Sequence, residues 1–191
     1  MAVAFTLEEL VGAVTEQTLE LIDRGLYTPI ILIDGRAGSG KTTLADVLQR
    51  RLFAEGETLP RVIHMDDLYP GWDGLAAGVE YLNRQIVRLV ERGQTASWQK
   101  FNWQTGHRET WQEFSGGTPL IIEGVGALNT FAAERAQLKI WLEVDEELRH
   151  ERWLARDGHQ FDEFWALWAA QELEFYAVNR SAELADFTIA G

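Results

Sequence analysis

Residues 35–42 (GRAGSGKT) match the pattern GxxxxGK[ST] and lie between two segments with different periodicity. The residues before them, 28–34 (TPIILID), form a short continuous apolar run, typical of a strand buried on both faces of a parallel sheet. The residues after them, 42–54, carry apolar side chains at helical spacing. This strand, loop and helix predict a phosphate-binding loop within a three-layer α/β P-loop NTPase fold.

The residue types of this loop suit the binding of a nucleotide triphosphate. Glycines at positions 35, 38 and 40 allow successive backbone amides to converge on anionic oxygens at the start of a helix. Lys41 adds a positive charge for the terminal phosphates, and the Thr42 hydroxyl is a ligand for the Mg²⁺ that bridges them. We therefore predict ATP and Mg²⁺ as cofactors. The loop residues predicted to bind ATP are Gly35, Arg36, Ala37, Gly38, Ser39, Gly40, Lys41, Thr42 and Thr43.

The rest of the chain alternates between strand-like and helical stretches, which predicts a mostly parallel five-stranded sheet with helices on both faces. Strands are predicted at 28–34, 61–65, 118–122, 138–144 and 186–190, and helices at 7–24, 42–54, 75–92, 145–156 and 162–180. An aromatic-rich stretch around Thr105 and Gly106 predicts a hairpin excursion at about 96–114. We expect a single domain over 1–191, with an N-terminal helix in 1–27, a nucleotide-binding core in 28–191 and a lid at about 145–160.

Composition excludes several classes of function. A formal net charge of −13 disfavours general nucleic-acid binding, and the lack of cysteine excludes disulfides and thiolate metal sites. The longest apolar run is too short to span a membrane, and the N-terminal residues do not resemble a secretory signal, so we expect a cytoplasmic protein. The eight tryptophans are expected mainly to fill the core and to cover a helix. A homodimer is compatible with the sequence.

Acidic residues follow two of the predicted strands. Asp66 and Asp67 end the second strand and Glu123 ends the third. Ligands of doubly wound sheets bind beyond the carboxyl ends of the strands, so these acids are expected to face the γ-phosphate. One of the two aspartates is predicted to act as a general base toward an acceptor hydroxyl and to contact Mg²⁺, and Glu123 is predicted to hold Mg²⁺ directly or through water. The alternative is that these carboxylates cap a helix or support the structure.

Arg149, Arg152 and Arg156 recur at spacings of three and four, which places them on one face of the predicted helix. Guanidinium groups match phosphate geometry, so this row is predicted to form a lid over ATP that excludes water. Surface ion pairs with the neighbouring acids are the alternative.

Five segments in this order, GRAGSGKTT, MDDLY, IIEGVGAL, RHERWLARD and ADFTIAG, resemble the uridine kinase and phosphoribulokinase branch of the P-loop kinases over residues 29–191. The resemblance implies that Asp66 is the catalytic base toward a sugar hydroxyl and that Tyr69 belongs to the same motif. It places Glu123 near Mg²⁺ and the three arginines on the lid. It also implies that Phe101 and Arg108 lie on the acceptor side.

The chain departs from the family pattern at several positions on the acceptor side. Leu68 stands where the family has phenylalanine, and Phe101 and Asn102 stand where it has tyrosine and aspartate. Gly106 stands where pyrimidine nucleoside kinases have histidine. These departures concern the identity of the acceptor more than the reaction.

The sequence therefore predicts an ATP- and Mg²⁺-dependent kinase that transfers the γ-phosphoryl group to a hydroxyl of a small metabolite, such as a nucleoside or another sugar-containing compound. The GTPase class is disfavoured because NKxD and DxxG motifs are absent. An ATP-binding regulator without turnover and a kinase that acts on nucleic-acid ends remain as alternatives. The predicted catalytic residues are Lys41, Asp66, Arg152 and Arg156. Arg149 and Arg152 are predicted to bind ATP beside the loop, Asp66, Tyr69, Phe101 and Arg108 to bind the acceptor, and Thr42, Asp66 and Glu123 to bind the metal.

Overall fold

A computed structural model describes residues 5–56, 58–157 and 161–190. Its strands are β1 (Ile30–Gly35), β2 (Arg61–His64), β3 (Ala96–Asn102), β4 (His107–Phe114), β5 (Leu120–Glu123), β6 (Leu138–Glu143) and β7 (Phe187–Ala190). Five of them form a parallel sheet with the strand order β2-β5-β1-β6-β7. The predicted parallel sheet is confirmed, with strand ends shifted by a few residues.

Helices surround this sheet where apolar spacing predicts them. They are α1 (Leu7–Asp23), α2 (Lys41–Gly56), α3 (Leu75–Leu82), α4 (Arg88–Glu91), α5 (Thr130–Ala133), α6 (Glu146–Asp157), α7 (Asp162–Asn179) and α8 (Ser181–Leu184). The first helix begins with a capping box, in which Thr6 and Glu9 satisfy each other's backbone amides. The short helices α5 and α8 were not predicted, because four residues are too few to show a periodicity.

The predicted helix 75–92 is interrupted by a π-helical segment, Asn83–Val87, between α3 and α4. The Asn83 side-chain amide donates to Asn129 Oδ1 at 3.0 Å. Apolar spacing does not distinguish this wider turn from an ordinary helical turn, so the sequence did not predict the interruption.

Strand β1 lies at the centre of the sheet and contributes to two hydrophobic cores. Ile30 and Leu32 face one core, while Ile31 and Ile33 face the other. Side chains alternate between the faces of a strand, and here helices cover both faces. This explains why the strand reads as a continuous apolar run, and it places the end of β1 and the following loop at the carboxyl edge of the sheet.

Strands β3 and β4 pair antiparallel as a separate two-stranded sheet, which confirms the predicted hairpin. Residues 103–106 form its turn, and Gly106 there has a positive φ of 72°. The Tyr81 hydroxyl accepts a hydrogen bond from the Gln99 amide at 2.9 Å. This contact holds the hairpin against the segment that contains α3.

No helix within the described ranges is both long and apolar enough to cross a bilayer.

Candidate functional site

A cavity of about 1000 Å³ opens at the carboxyl edge of the sheet. The loop after β1, the segments after β2 and β5, the hairpin turn and helices α6 and α7 all contribute to its walls. Predicted site residues from three parts of the chain line it together: Lys41 and Thr42 at the start of α2, Asp66 after β2 and Glu123 at the end of β5. Folding thus brings the phosphate loop and both candidate acids to one cleft, as expected for open α/β sheets, whose ligands bind beyond the carboxyl ends of the strands.

The loop of residues 35–42 curls in the way that its glycines allow. Gly38 and Gly40 have φ values of 80° and 94°, which residues with a Cβ rarely adopt. A side chain on Gly38 would also collide with the backbone of Arg149. The Lys41 ammonium donates to Arg36 O at 3.0 Å and lies 3.4 Å from Ser39 Oγ, so it remains inside the loop. The positive charge of Lys41 therefore lies next to the backbone amides of the loop, which would bind a phosphate chain.

Glu172 on α7 binds the back of this loop, and sequence reasoning missed it. Its carboxylate accepts hydrogen bonds from the Ala37 amide at 2.6 Å and from Arg36 Nε at 3.1 Å. The side chain is only 1% exposed. A buried carboxylate is stabilised when it is paired and hydrogen-bonded, so this contact fixes the start of the loop. Its separation of 135 residues from Ala37 left no local sequence signal.

The three arginines of α6 do not share one environment. Arg149 is 3% exposed and donates from Nε to Val144 O at 3.0 Å and from Nη1 to Ala37 O at 3.2 Å. Burial lowers the pKa of its guanidinium. Arg149 thus supports the loop from behind, whereas Arg152 lines the cavity. Arg156 lies within α6, but its side chain falls outside the described residues, as do residues 158–160 of the predicted lid.

Two oxygen-bearing side chains, Thr42 and Glu123, lie beside the loop. Thr42 Oγ1 donates to Glu123 Oε1 at 3.1 Å, and both residues line the cavity. His64 Nδ1 lies 2.7 Å from the same carboxylate oxygen, and this hydrogen bond raises the pKa of His64. A magnesium ion bound to substrate phosphates needs only one or two protein oxygens, so Thr42 and Glu123 fit such an ion. The described residues contain no group of three or more acids and histidines that could hold a metal without a phosphate.

The acids after β2 line the same cleft. Asp66 is exposed to the cavity, and its backbone carbonyl accepts a hydrogen bond from Trp103 Nε1 at 2.9 Å. Asp67 forms an ion pair of 2.6 Å with Lys100 of the hairpin. The hairpin therefore fixes the segment after β2 through the Trp103–Asp66 hydrogen bond and the Lys100–Asp67 ion pair.

The other residues predicted to bind the acceptor mainly make contacts that stabilise the fold. Tyr69 lines the cavity, but its hydroxyl donates to Val125 O at 2.6 Å, and burial raises the pKa of that hydroxyl. Arg108 donates to Leu68 O at 2.7 Å and lies over the Tyr81 ring, so its guanidinium joins the hairpin to the segment after β2. The ring of Phe101 packs edge-on against Trp103 rather than on the cleft. Of these three residues, only Tyr69 lines the cavity.

A second buried carboxylate, which sequence reasoning also missed, connects the central strand to the site. Asp34 at the end of β1 accepts hydrogen bonds from Gly35 N at 2.7 Å, Leu128 N at 2.8 Å and the Tyr176 hydroxyl at 2.7 Å. It also accepts from the Gly126 amide at 3.1 Å. Burial raises the pKa of Asp34 to about 6, against the hydrogen bonds and the charge of Lys41, which lower it. Asp34 thereby fixes the loop after β5 next to the phosphate loop.

The variant Asp34→Asn should lower the free energy of unfolding by about 1–3 kcal/mol at pH 7, because the NH₂ group of asparagine would face the backbone amides and the Tyr176 hydroxyl that donate to Asp34. The pKa of Asp34 is about 6 in the folded state, above its ordinary value of 3.8. Between these two pH values the folded protein holds a proton on Asp34 that the unfolded chain releases. The contribution of Asp34 to the stability of the wild-type protein therefore falls as the pH rises from 3.8 to 6. Urea unfolding at pH 5.0 and 7.5 checks both points. The deficit of the variant should be larger at pH 5.0, and a larger deficit at pH 7.5 would contradict the assignment.

Residues 31–164 match the family model described as an AAA domain. No curated protein matches the chain in sequence. Among solved structures, the chain is similar to a possible uridine kinase from Bacillus stearothermophilus, with a TM-score of 0.68, 18% identity and coverage of 96% of this chain and 98% of that one. A proposed fructose transport system kinase from Silicibacter sp. TM1040 has a TM-score of 0.59 and 21% identity over 97% of this chain and 99% of its own. YFH7 from Saccharomyces cerevisiae, described as a P-loop kinase candidate with a circular permutation, has a TM-score of 0.57 and 11% identity over 95% and 98%.

Proposed function

Because the chain belongs to the AAA domain family and has the fold of uridine kinase-like P-loop proteins, we propose that it is an ATP- and Mg²⁺-dependent kinase with a small-molecule alcohol as acceptor. One observation carries the proposal: a loop lysine, a hydroxyl and carboxylate pair suited to Mg²⁺ and an exposed carboxylate line the same cavity. These residues are Lys41, Thr42, Glu123 and Asp66.

The reaction follows from the position of each group. Lys41 and the loop amides bind the phosphate chain and offset the charge that develops on the bond between the β- and γ-phosphates as it breaks. Asp66 accepts the proton of the acceptor hydroxyl as its oxygen forms the new bond to the γ-phosphorus, so that ADP and a phosphate ester are the products. Arg152 adds positive charge at the cavity wall. Thr42 and Glu123 would hold Mg²⁺, which would supply positive charge to the phosphate oxygens.

The acceptor is proposed to be a nucleoside or another sugar-containing compound. The names of two structural neighbours mention uridine and fructose. The resemblance of the MDDLY segment to the family motif also supports an acceptor with a sugar hydroxyl. The net charge of −13 disfavours an acceptor on nucleic-acid ends, because such a substrate would have to approach an acidic surface.

The test is a panel of nucleosides, sugars and vitamin-like alcohols, assayed for ADP release with Mg-ATP. At least one acceptor should stimulate ADP release by the wild-type protein and not by the Lys41→Ala variant. If the protein binds ATP but no acceptor stimulates release above the variant, the kinase proposal fails and the regulator without turnover is favoured.

A further inference from the structure

Aromatic rings form the walls of the cavity around Asp66. They come from the segment after β2, from the hairpin turn and from α6 and α7, and we call them the aromatic box. Its members are Trp72, Trp103, Trp153, Phe161 and Trp168.

Trp72 lies at the centre of this box and is held in place by its neighbours. The Phe164 ring stacks on it at 4.7 Å with an interplanar angle of 5°, which covers one face from behind. Trp103 lies 4.8 Å from it and Trp168 lies 6.4 Å from it at 87°. Residues from distant parts of the chain thus build a preformed apolar wall beside the candidate base, and such preformed walls favour binding because little ordering is needed.

Two acids, Asp66 and Asp67, line the cavity together with the box, and Arg152 lines it beside Trp153. On the neighbouring hairpin, Lys100 pairs with Asp67 and Arg108 donates to backbone carbonyls. Within the described residues, the cations that line the cavity are Lys41 and Arg152, and the proposed function assigns both to ATP.

Aromatic faces and carboxylates attract a positive charge, because the ring quadrupole is negative at its face. Among the described residues, an acceptor with a phosphate or carboxylate group would have to pair with Lys41 or Arg152, which the proposed function assigns to ATP. We propose that the acceptor alcohol carries a positive charge, such as a quaternary ammonium group, which lies against the aromatic box while its hydroxyl faces Asp66. This inference rests on the proposed kinase function and narrows its acceptor class. A neutral ring stacked on the same tryptophans is the competing outcome.

Calorimetry with two probes of the same shape separates these outcomes. Choline and 3,3-dimethylbutan-1-ol have the same hydroxyl, chain length and branching, and differ in the positive charge. With the protein bound to Mg²⁺ and a non-hydrolysable ATP analogue, choline should bind about 3- to 30-fold more tightly than the neutral alcohol, as expected for one cation held by aromatic faces. Equal affinities, tighter binding of the neutral alcohol, or no binding of either probe would overturn the inference.

Tryptophan variants locate the effect in the box. Trp103→Leu should reduce the preference for choline to about 3-fold or less, while Trp103→Phe should retain part of it, because phenylalanine keeps a weaker ring face. Trp111→Leu is the matched control, since Trp111 lies on the same hairpin, is 63% exposed and does not line the cavity. If the preference for choline survives Trp103→Leu, or is lost equally in Trp111→Leu, it would reflect a general attraction of cations to an acidic protein. Either result would refute binding of the cation by the aromatic box.

The kinase proposal and this inference fail in different ways. ADP release stimulated only by neutral alcohols keeps the kinase and refutes the charged acceptor. Preferential binding of choline together with no acceptor-dependent ADP release from any charged or neutral alcohol keeps the cation site and refutes the kinase.

Discussion

Lys41→Met should weaken the binding of Mg-ATP by roughly 10- to 100-fold and reduce the rate of phosphoryl transfer by roughly 100- to 1,000-fold. Methionine keeps much of the volume of the side chain and removes the ammonium group that lies within the loop. The loss in rate exceeds the loss in affinity because charge on the phosphate oxygens grows as the bond to the leaving ADP breaks. Calorimetry with a non-hydrolysable ATP analogue measures the first effect, and ADP release with an accepted alcohol measures the second.

Lys139→Met is the matched control for this variant. Lys139 is paired with Asp186 at 3.1 Å and does not line the cavity, so its loss should leave nucleotide affinity within about 2-fold of wild type. The assignment of Lys41 would be wrong if both variants bound the analogue equally well.

Asp66→Asn should reduce kcat by roughly 100- to 10,000-fold, because asparagine cannot accept the proton of the acceptor hydroxyl. Nucleotide affinity should stay close to that of wild type, since Asp66 lies outside the phosphate loop and asparagine has nearly the same shape. The measurements are single-turnover ADP release for the rate and calorimetry for the affinity.

Asp73→Asn serves as its control, because Asp73 is exposed, follows the same strand and does not line the cavity. It should retain kcat within about 2-fold. An Asp66→Asn variant with undiminished turnover would refute the general base, and one that loses ATP binding as well would indicate that Asp66 acts on the nucleotide or its metal.

The positions of the major elements could be predicted because their signals are local. Apolar runs and helical spacing placed all five strands of the parallel sheet and the main helices, and the aromatic stretch at 96–114 placed the hairpin. The boundaries moved by a few residues because hydrogen bonding with neighbours decides where a strand or helix ends. The division of the chain into an N-terminal helix, a core and a lid stays a prediction.

The arginines show where pattern reasoning stops. Helical spacing puts Arg149 and Arg152 near one another on α6, yet one is buried against the back of the phosphate loop and the other lines the cavity. Spacing describes a face of a helix, while the depth of each residue depends on what packs against that face. The position of Arg108 likewise depended on tertiary packing, because its guanidinium donates to Leu68 O in the segment after β2 and does not line the cavity.

The sequence by itself determined the phosphate loop, the order of strands and helices and the placement of Asp66 and Glu123 at strand ends, because each depends on residues that are neighbours in the chain. Only the tertiary structure decided that Glu172 and Asp34 fix the loop, that His64 binds Glu123, and that aromatic rings from distant segments enclose one wall of the cleft. These contacts join residues far apart in sequence, and a single sequence holds no periodicity that records such a pairing.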